Sequence, residues 1–211
     1  MIIQSHGFSC VSITAKPLGG EVTVVLDPFD KRTGVRPSSL TADLVFASGN
    51  NEAHGATQSV GGEPFAVSMP GEYEVKGITI DARVAPTKAD PKHMIARVAV
   101  EGMMVGFLGA LDRELNDTEL ELMEGADILI LPVGGCDVLT PKQAVEVIQQ
   151  IEPRMVVPVH TASEGSEKKY GTMAAFLKEL GAKATEETAK LKVAASSLPQ
   201  DDMAVVALTR S

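Results

Sequence analysis

Tryptophan is absent from the 211 residues, cysteine occurs twice, and only two Tyr and six Phe supply aromatic rings. Positive charge is also in short supply, since 19 Lys and Arg face 28 Asp and Glu, for a formal net charge of −9. Such a chain lacks both the basic surface and the stacking platforms that nucleic acid requires, so nucleic-acid binding is not expected. No apolar run approaches the roughly 20 residues that cross a bilayer, which argues against a membrane span. Met1 to His6 shows no basic leader ahead of an apolar segment, so no secretory signal is expected. Cys10 and Cys136 lie far apart without a CxxC pattern and read as reduced thiols of a cytoplasmic protein. Hydrophobic residues at 44% and charged residues at 22% exclude wholesale disorder and a fibrous chain. The length suits a single domain over residues 1–211 with a sizeable core.

The first half reads as strands. Cys10–Ala15 and Glu21–Leu26 flank the turn Pro17-Leu18-Gly19-Gly20 and form a hairpin. A buried strand follows at Asp43–Ala47. Tyr73–Val84 alternates as one run, and Met94–Val100 turns at Glu101-Gly102 into Met103–Leu108. These segments predict antiparallel meanders. The second half changes character. Asn116-Asp117-Thr118-Glu119 reads as a capping box, with Gly125 as the stop of a short helix. Asp127–Leu131 is an apolar strand expected to be covered on both faces. Thr140-Pro141-Lys142-Gln143 starts a second helix whose buried stripe is Ala144, Val145, Ile148 and Ile151. Met155–Val159 is another buried strand, a third helix runs from Thr172 to Leu180 with Gly181 as its cap, and strands at Leu191–Ala194 and Met203–Leu208 follow. Two sheets between helices is the expected architecture.

Four segments, in order, carry a family resemblance. They are the Ile3–Ile13 strand pair leading to Val24-Val25-Leu26-Asp27-Pro28-Phe29, then Ala42–Ser48, then Met69-Pro70-Gly71-Glu72-Tyr73-Glu74-Val75-Lys76-Gly77. The last runs from Gly106-Phe107-Leu108-Gly109 through Asp127–Gly135 to Val156-Val157-Pro158-Val159-His160. The chain thereby resembles the metallo-β-lactamase superfamily, in particular its bacterial ascorbate-6-phosphate-lactonase-like branch. The resemblance implies an α/β fold, the four-layer αββα sandwich. It also implies a His-x-His-x-Asp-His loop that builds a binuclear centre, whose metals generate hydroxide near neutral pH.

Here that loop reads Ser48-Gly49-Asn50-Asn51-Glu52-Ala53-His54. Gly49 and Asn51 stand where the first two histidines belong, and Ala53 stands where the Asp belongs. No histidine occupies Ala85–Lys88, His93 comes too late, and Ala110 replaces the bridging Asp. Only His54 and His160 remain from the pattern, and two imidazoles without an anionic donor hold zinc weakly. No metal or other cofactor is therefore expected. The alternative is one zinc or manganese ion on His54 and His160, completed by Asp112 or Cys136. Pocket candidates are Asn50, Asn51, His54, Asp112, Cys136 and His160. The expected function is that of a pseudoenzyme, a binding or interaction module for a small molecule or a protein, with homo-oligomerisation a base-rate expectation. The alternative is a hydrolase with a reduced mononuclear site acting on a small phosphorylated or lactone substrate. Glu72, Glu74 and Lys76 read as a solvated sheet edge, and Ser163–Lys169 as a solvent-facing polar loop directly after His160, with a lid or partner contact over the old pocket as the alternative.

Overall fold

Two-residue turns set the register of the strand-rich half. Lys76-Gly77, with φ 53° and 79°, and Glu101-Gly102, with φ 50° and 73°, both take the left-handed backbone that suits a tight hairpin. Tyr73–Val84 is therefore two strands rather than one run.

A computed structural model describes residues 1–162, 165–166, 168–182 and 186–211. The strands of its first half are β1 (Ile2–Gly7), β2 (Cys10–Ala15), β3 (Val22–Leu26), β4 (Leu44–Phe46), β5 (Phe65–Val67), β6 (Gly71–Val75) and β7 (Ile78–Val84). They continue as β8 (Met94–Val100), β9 (Met103–Phe107), β10 (Ile128–Pro132), β11 (Met155–Val159), β12 (Glu186–Thr188), β13 (Leu191–Lys192) and β14 (Ala204–Leu208). The helices are α1 (Asp117–Met123), α2 (Pro141–Ile151) and α3 (Met173–Leu180). One sheet has the order β13-β1-β2-β3-β4-β5, and the other β12-β14-β11-β10-β9-β8-β7-β6. The architecture is α/β, two mixed sheets with flanking helices.

The expected antiparallel meander fails at β4, which pairs parallel to β3, and a strand that the sequence did not disclose, β5, pairs parallel to β4. The long connections 27–43 and 47–64 are crossovers, as parallel neighbours require. Between the sheets, Phe46 and Phe107 meet edge to face with ring centres 5.9 Å apart, and neither is exposed. The capping boxes form as read: Asn116 with Glu119, and Thr140 with Gln143. Glu119 also does a second job. It is buried, and its carboxylate accepts from both terminal nitrogens of Arg113 at 2.8 and 2.7 Å, which pins the loop before α1. In α2 the buried residues are Ala144, Val147 and Ile148; Val145 and Ile151 are only half-buried.

The two outer faces are covered differently. Leu122, Ala144, Val147, Ile148 and Phe176 of the helices pack on Ile95, Leu129, Leu131 and Val156 of the eight-stranded sheet. The other sheet shows Cys10, Val25 and Val45 to Phe29, Val35 and Val60, on a connecting chain that holds only short 3₁₀ turns at Lys31–Thr33 and Thr57–Ser59. Glu72 and Glu74 lie exposed on the edge strand β6, where charge discourages pairing with another sheet. Of the polar loop Ser163–Lys169, Ser163, Glu164 and Glu167 lie outside the described residues. No helix among the described residues is long and apolar enough to cross a membrane.

Candidate functional site

The parallel strands β3, β4, β9, β10 and β11 all end at one rim, where an α/β sheet places its ligand crevice. Asp27 follows β3 and is fully buried in a left-handed backbone, φ 45°. Its Oδ1 accepts from Ser48 N at 2.6 Å, and its Oδ2 accepts from the Ser48 hydroxyl at 2.6 Å. His54 Nδ1 lies 3.4 Å from the same Oδ2. A carboxylate held by two donors in a dry site keeps its orientation, so Asp27 presents a fixed oxygen to the His54 ring, whose Nδ1 makes no hydrogen bond to it.

His160 follows β11, also in a left-handed backbone, φ 57°. Its Nδ1 is 2.8 Å from Ser9 Oγ, and that hydroxyl donates to Gly109 O at 2.8 Å. With the hydroxyl proton so used, Ser9 must accept from His160 Nδ1–H, which leaves Nε2 with its lone pair bare. That Nε2 is buried and has no partner among the described residues. The His160 ring lies edge-on to Tyr170 at 4.7 Å and Phe8 at 5.4 Å, and 5.5 Å from His54. Burial, helped by the neighbouring His54, holds the His160 pKa well below the usual imidazole value, so the ring is neutral.

His93 is a structural member of this rim. Its Nδ1 bonds Ala85 O at 3.0 Å and its Nε2 accepts from Ala110 N at 3.1 Å, so both nitrogens are used. Gly109, with φ 58°, makes this possible. A Cβ there would stand 2.5 Å from Ser48 Oγ and 2.9 Å from His93 Nε2.

The remaining sequence candidates are spread around this centre. Asn50 and Asn51 are exposed and line a cleft of about 1020 Å³, walled also by Met69, Val84, Asp90 and Lys92. Asp112 is buried, and its Oδ2 accepts from Lys88 N at 3.1 Å, so it holds the loop preceding β8. Cys136 is exposed and Cys10 buried, both as free thiols. Burial and the nearby Asp27 raise the Cys10 pKa, which keeps it a thiol. Sequence reasoning gave no chemical role to Asp27, Ser9 or Asp90. The Asp27-Pro28 pair, part of the family resemblance, was the available signal.

His6, without a motif role, is buried with Nε2 2.8 Å from Ser12 Oγ. Burial first, then the Arg210 charge, lower its pKa to about 4. A depressed histidine favours the neutral folded state, so its contribution is complete above the unfolded value near 6.5 and declines as pH falls to about 4. Chemical denaturation of His6→Gln across that window should show an acid loss smaller than wild type by about 3 kcal/mol. Identical pH profiles would refute it.

The model of the β-lactamase superfamily domain matches residues 2–160, the stretch from β1 to the last site histidine. The chain belongs to the metallo-β-lactamase superfamily. Superfamily relatives include the UPF0173 metal-dependent hydrolase of Thermococcus onnurineus, 27% identical over 67% of this chain and 78% of that protein. Another, from Staphylothermus marinus, is 25% identical over 75% and 82%. A Thermotoga maritima structure of the superfamily aligns with TM-score 0.79 and 24% identity over 98% of this chain and 97% of its own. The metallo-β-lactamase fold protein YhfI of Bacillus subtilis aligns at 0.62 and 11% identity, over 100% and 97%.

The superfamily implies a metal, and the donors present can be weighed against one. Among the described residues no three His, Cys, Asp or Glu side chains are grouped so as to hold a metal ion. Asp112 bonds Lys88 N, and neither it nor Cys136 joins His54 and His160 in such a group. Two imidazoles fall short of the three or four donors that zinc takes, so these residues do not fit a binuclear centre.

Proposed function

We propose that this protein is a metal-independent member of the superfamily, whose cleft is a small-molecule binding module rather than a hydrolytic metal centre. The observation that carries this reading is the donor set. His54 lies beside Asp27, His160 is oriented by Ser9, and the other positions of the family's ligand pattern read Gly49, Asn51, Ala53 and Ala110 in the sequence. Those four side chains offer no imidazole or carboxylate, so the second half of a metal pair has nothing to bind it.

A second reading keeps one zinc or manganese ion and hydrolysis of a small phosphorylated or lactone-type substrate. Its support is the relatives' description as metal-dependent hydrolases and two buried ring nitrogens that make no hydrogen bond among the described residues, His160 Nε2 and His54 Nδ1, the latter 3.4 Å from Asp27 Oδ2.

Elemental analysis separates the two. Protein purified from zinc- and manganese-supplemented medium should carry well under one metal per chain, and its melting temperature should ignore chelator, because a site-specific ion must stabilise the folded state. Near-stoichiometric metal that disappears in His54→Ala and His160→Ala would overturn the first reading and establish the second.

A further inference from the structure

Each sheet has two edge strands, and three of the four carry charge: Lys192 on β13, Glu187 on β12, and Glu72 and Glu74 on β6. Charge on an edge discourages pairing with another sheet. The fourth edge, β5, reads Phe65-Ala66-Val67 and carries none. Its backbone is only half used. Phe65 N donates to Asp43 O at 2.9 Å and Val67 O accepts from Ala47 N at 3.1 Å, so both residues turn their polar groups toward β4. Successive residues of a strand face opposite ways, which aims the N–H and C=O of Ala66 away from the sheet. No other strand among the described residues covers that edge.

The side chains around this edge are apolar as well. Of five exposed large hydrophobic side chains among the described residues, three lie on this side: Phe65, Met69 and Val84, at 48%, 67% and 42% exposure. The Phe65 ring stands 6.0 Å from that of Tyr73, whose hydroxyl donates to Met69 O at 3.0 Å. Met69 and Val84 both wall the cleft. An apolar surface beside an unpaired strand edge is the kind that another chain covers.

A second copy of this chain suits the edge. Antiparallel pairing of two β5 strands about a two-fold axis at Ala66 lets the two Ala66 residues exchange both N–H···O=C bonds. The same register sets Phe65 of each copy opposite Val67 of the other, apolar against apolar, with no charge opposed within the strands. On β6, the comparable pairing about Tyr73 would set Glu72 of each copy against Glu74 of the other. In a chain of net charge −9, an uncharged edge lets two copies meet without like charges opposed. Pro64, which has no N–H, ends the donor row just before the strand, so the pairing is short and the affinity micromolar rather than nanomolar.

We propose that the protein forms a two-fold dimer in solution through antiparallel β5–β5 pairing, which joins the six-stranded sheets of two copies into one continuous sheet.

Sedimentation velocity of the full chain at about 1–200 µM tests it. The wild type should be dimeric at the upper end of that range. The Ala66 side chain is exposed, and at a two-fold axis it faces its own copy, so a charge placed there reports on this register alone. Ala66→Asp and Ala66→Lys should each weaken the dimer by about fivefold or more, with the melting temperature of dilute protein unchanged. An equimolar mixture of the two variants should restore dimers, because opposite charges then meet across the axis. A wild type that stays monomeric throughout leaves the edge to a strand from a different protein and overturns the proposal. Undiminished dimers in both single variants place the contact on another face, which overturns it as well. So does a mixture no more associated than its components.

Discussion

Gly134→Ala should leave little or no folded protein. Gly134 follows β10, and a Cβ there would overlap the carbonyl oxygen of His160 and come within 3.0 Å of Tyr170 Cβ. The obstacle is backbone rather than the end of a flexible side chain, so β10 and β11 would have to separate at the point where they pair in parallel. Separation would also pull His160 from Ser9 and break the bond from Gly171 N to Gly134 O at 2.6 Å. The expected loss is about 4 kcal/mol or more, above the usual cost of overpacking. Yield and urea denaturation measure it. A variant that melts within a few degrees of wild type would show that the two strand ends can part cheaply.

Asp27→Ala has the second large effect, for a different reason. Removal of the carboxylate strands Ser48 N and the Ser48 hydroxyl in a dry site, and each unpaired donor there costs about 1–3 kcal/mol. Alanine also fits poorly at φ 45°, where Asn and Asp are the better-tolerated side chains. A combined loss of about 4 kcal/mol is expected by chemical denaturation. Asp27→Asn keeps an acceptor oxygen and the tolerated backbone, so it should recover a large part of that loss. Equal losses in the two variants would mean that the carboxylate is not what holds Ser48.

Much of the fold was legible because it is written locally. Asn116 with Glu119 and Thr140 with Gln143 are pairs three residues apart, and each box formed. Gly181 caps α3 at φ 69° as a helix-stopping glycine should. The hairpin inside Tyr73–Val84 left a trace that alternation alone conceals. Apolar residues fall at Tyr73 and Val75, then at Ile78 and Ile80, and that slip of phase is the two-residue turn itself, since Val75 pairs with Ile78. Val147 belonged to the α2 stripe but stands three residues after Ala144, the spacing that the reading passed over. Parallel pairing of β3, β4 and β5 was hidden because a strand's own pattern does not state its partner's direction.

The candidate site was legible only in part, for a related reason. The imidazoles of His54 and His160 could be found by their place in the family pattern. What lies beside them could not, because Asp27 and His54, or Ser9 and His160, meet only through the fold. Asp90 went unnoticed since its neighbourhood with Gly49 and Asn51 depends on how two loops lie against each other.

The unequal cover of the two sheets has a consequence for binding itself. Asp30 N bonds Glu52 O at 2.9 Å and Ala56 N bonds Pro28 O at 3.0 Å, so the loops over the six-stranded sheet are stitched into one piece. That piece lies on the sheet through side chains such as Phe29, Val35 and Val60, without a helix to bury it further. Thin cover of this kind opens at lower free energy than a helix-backed sheet. The Asn50 and Asn51 side of the cleft is part of it. A ligand in the cleft would therefore quieten a breathing shell, trading the shell's motional entropy against its own contacts.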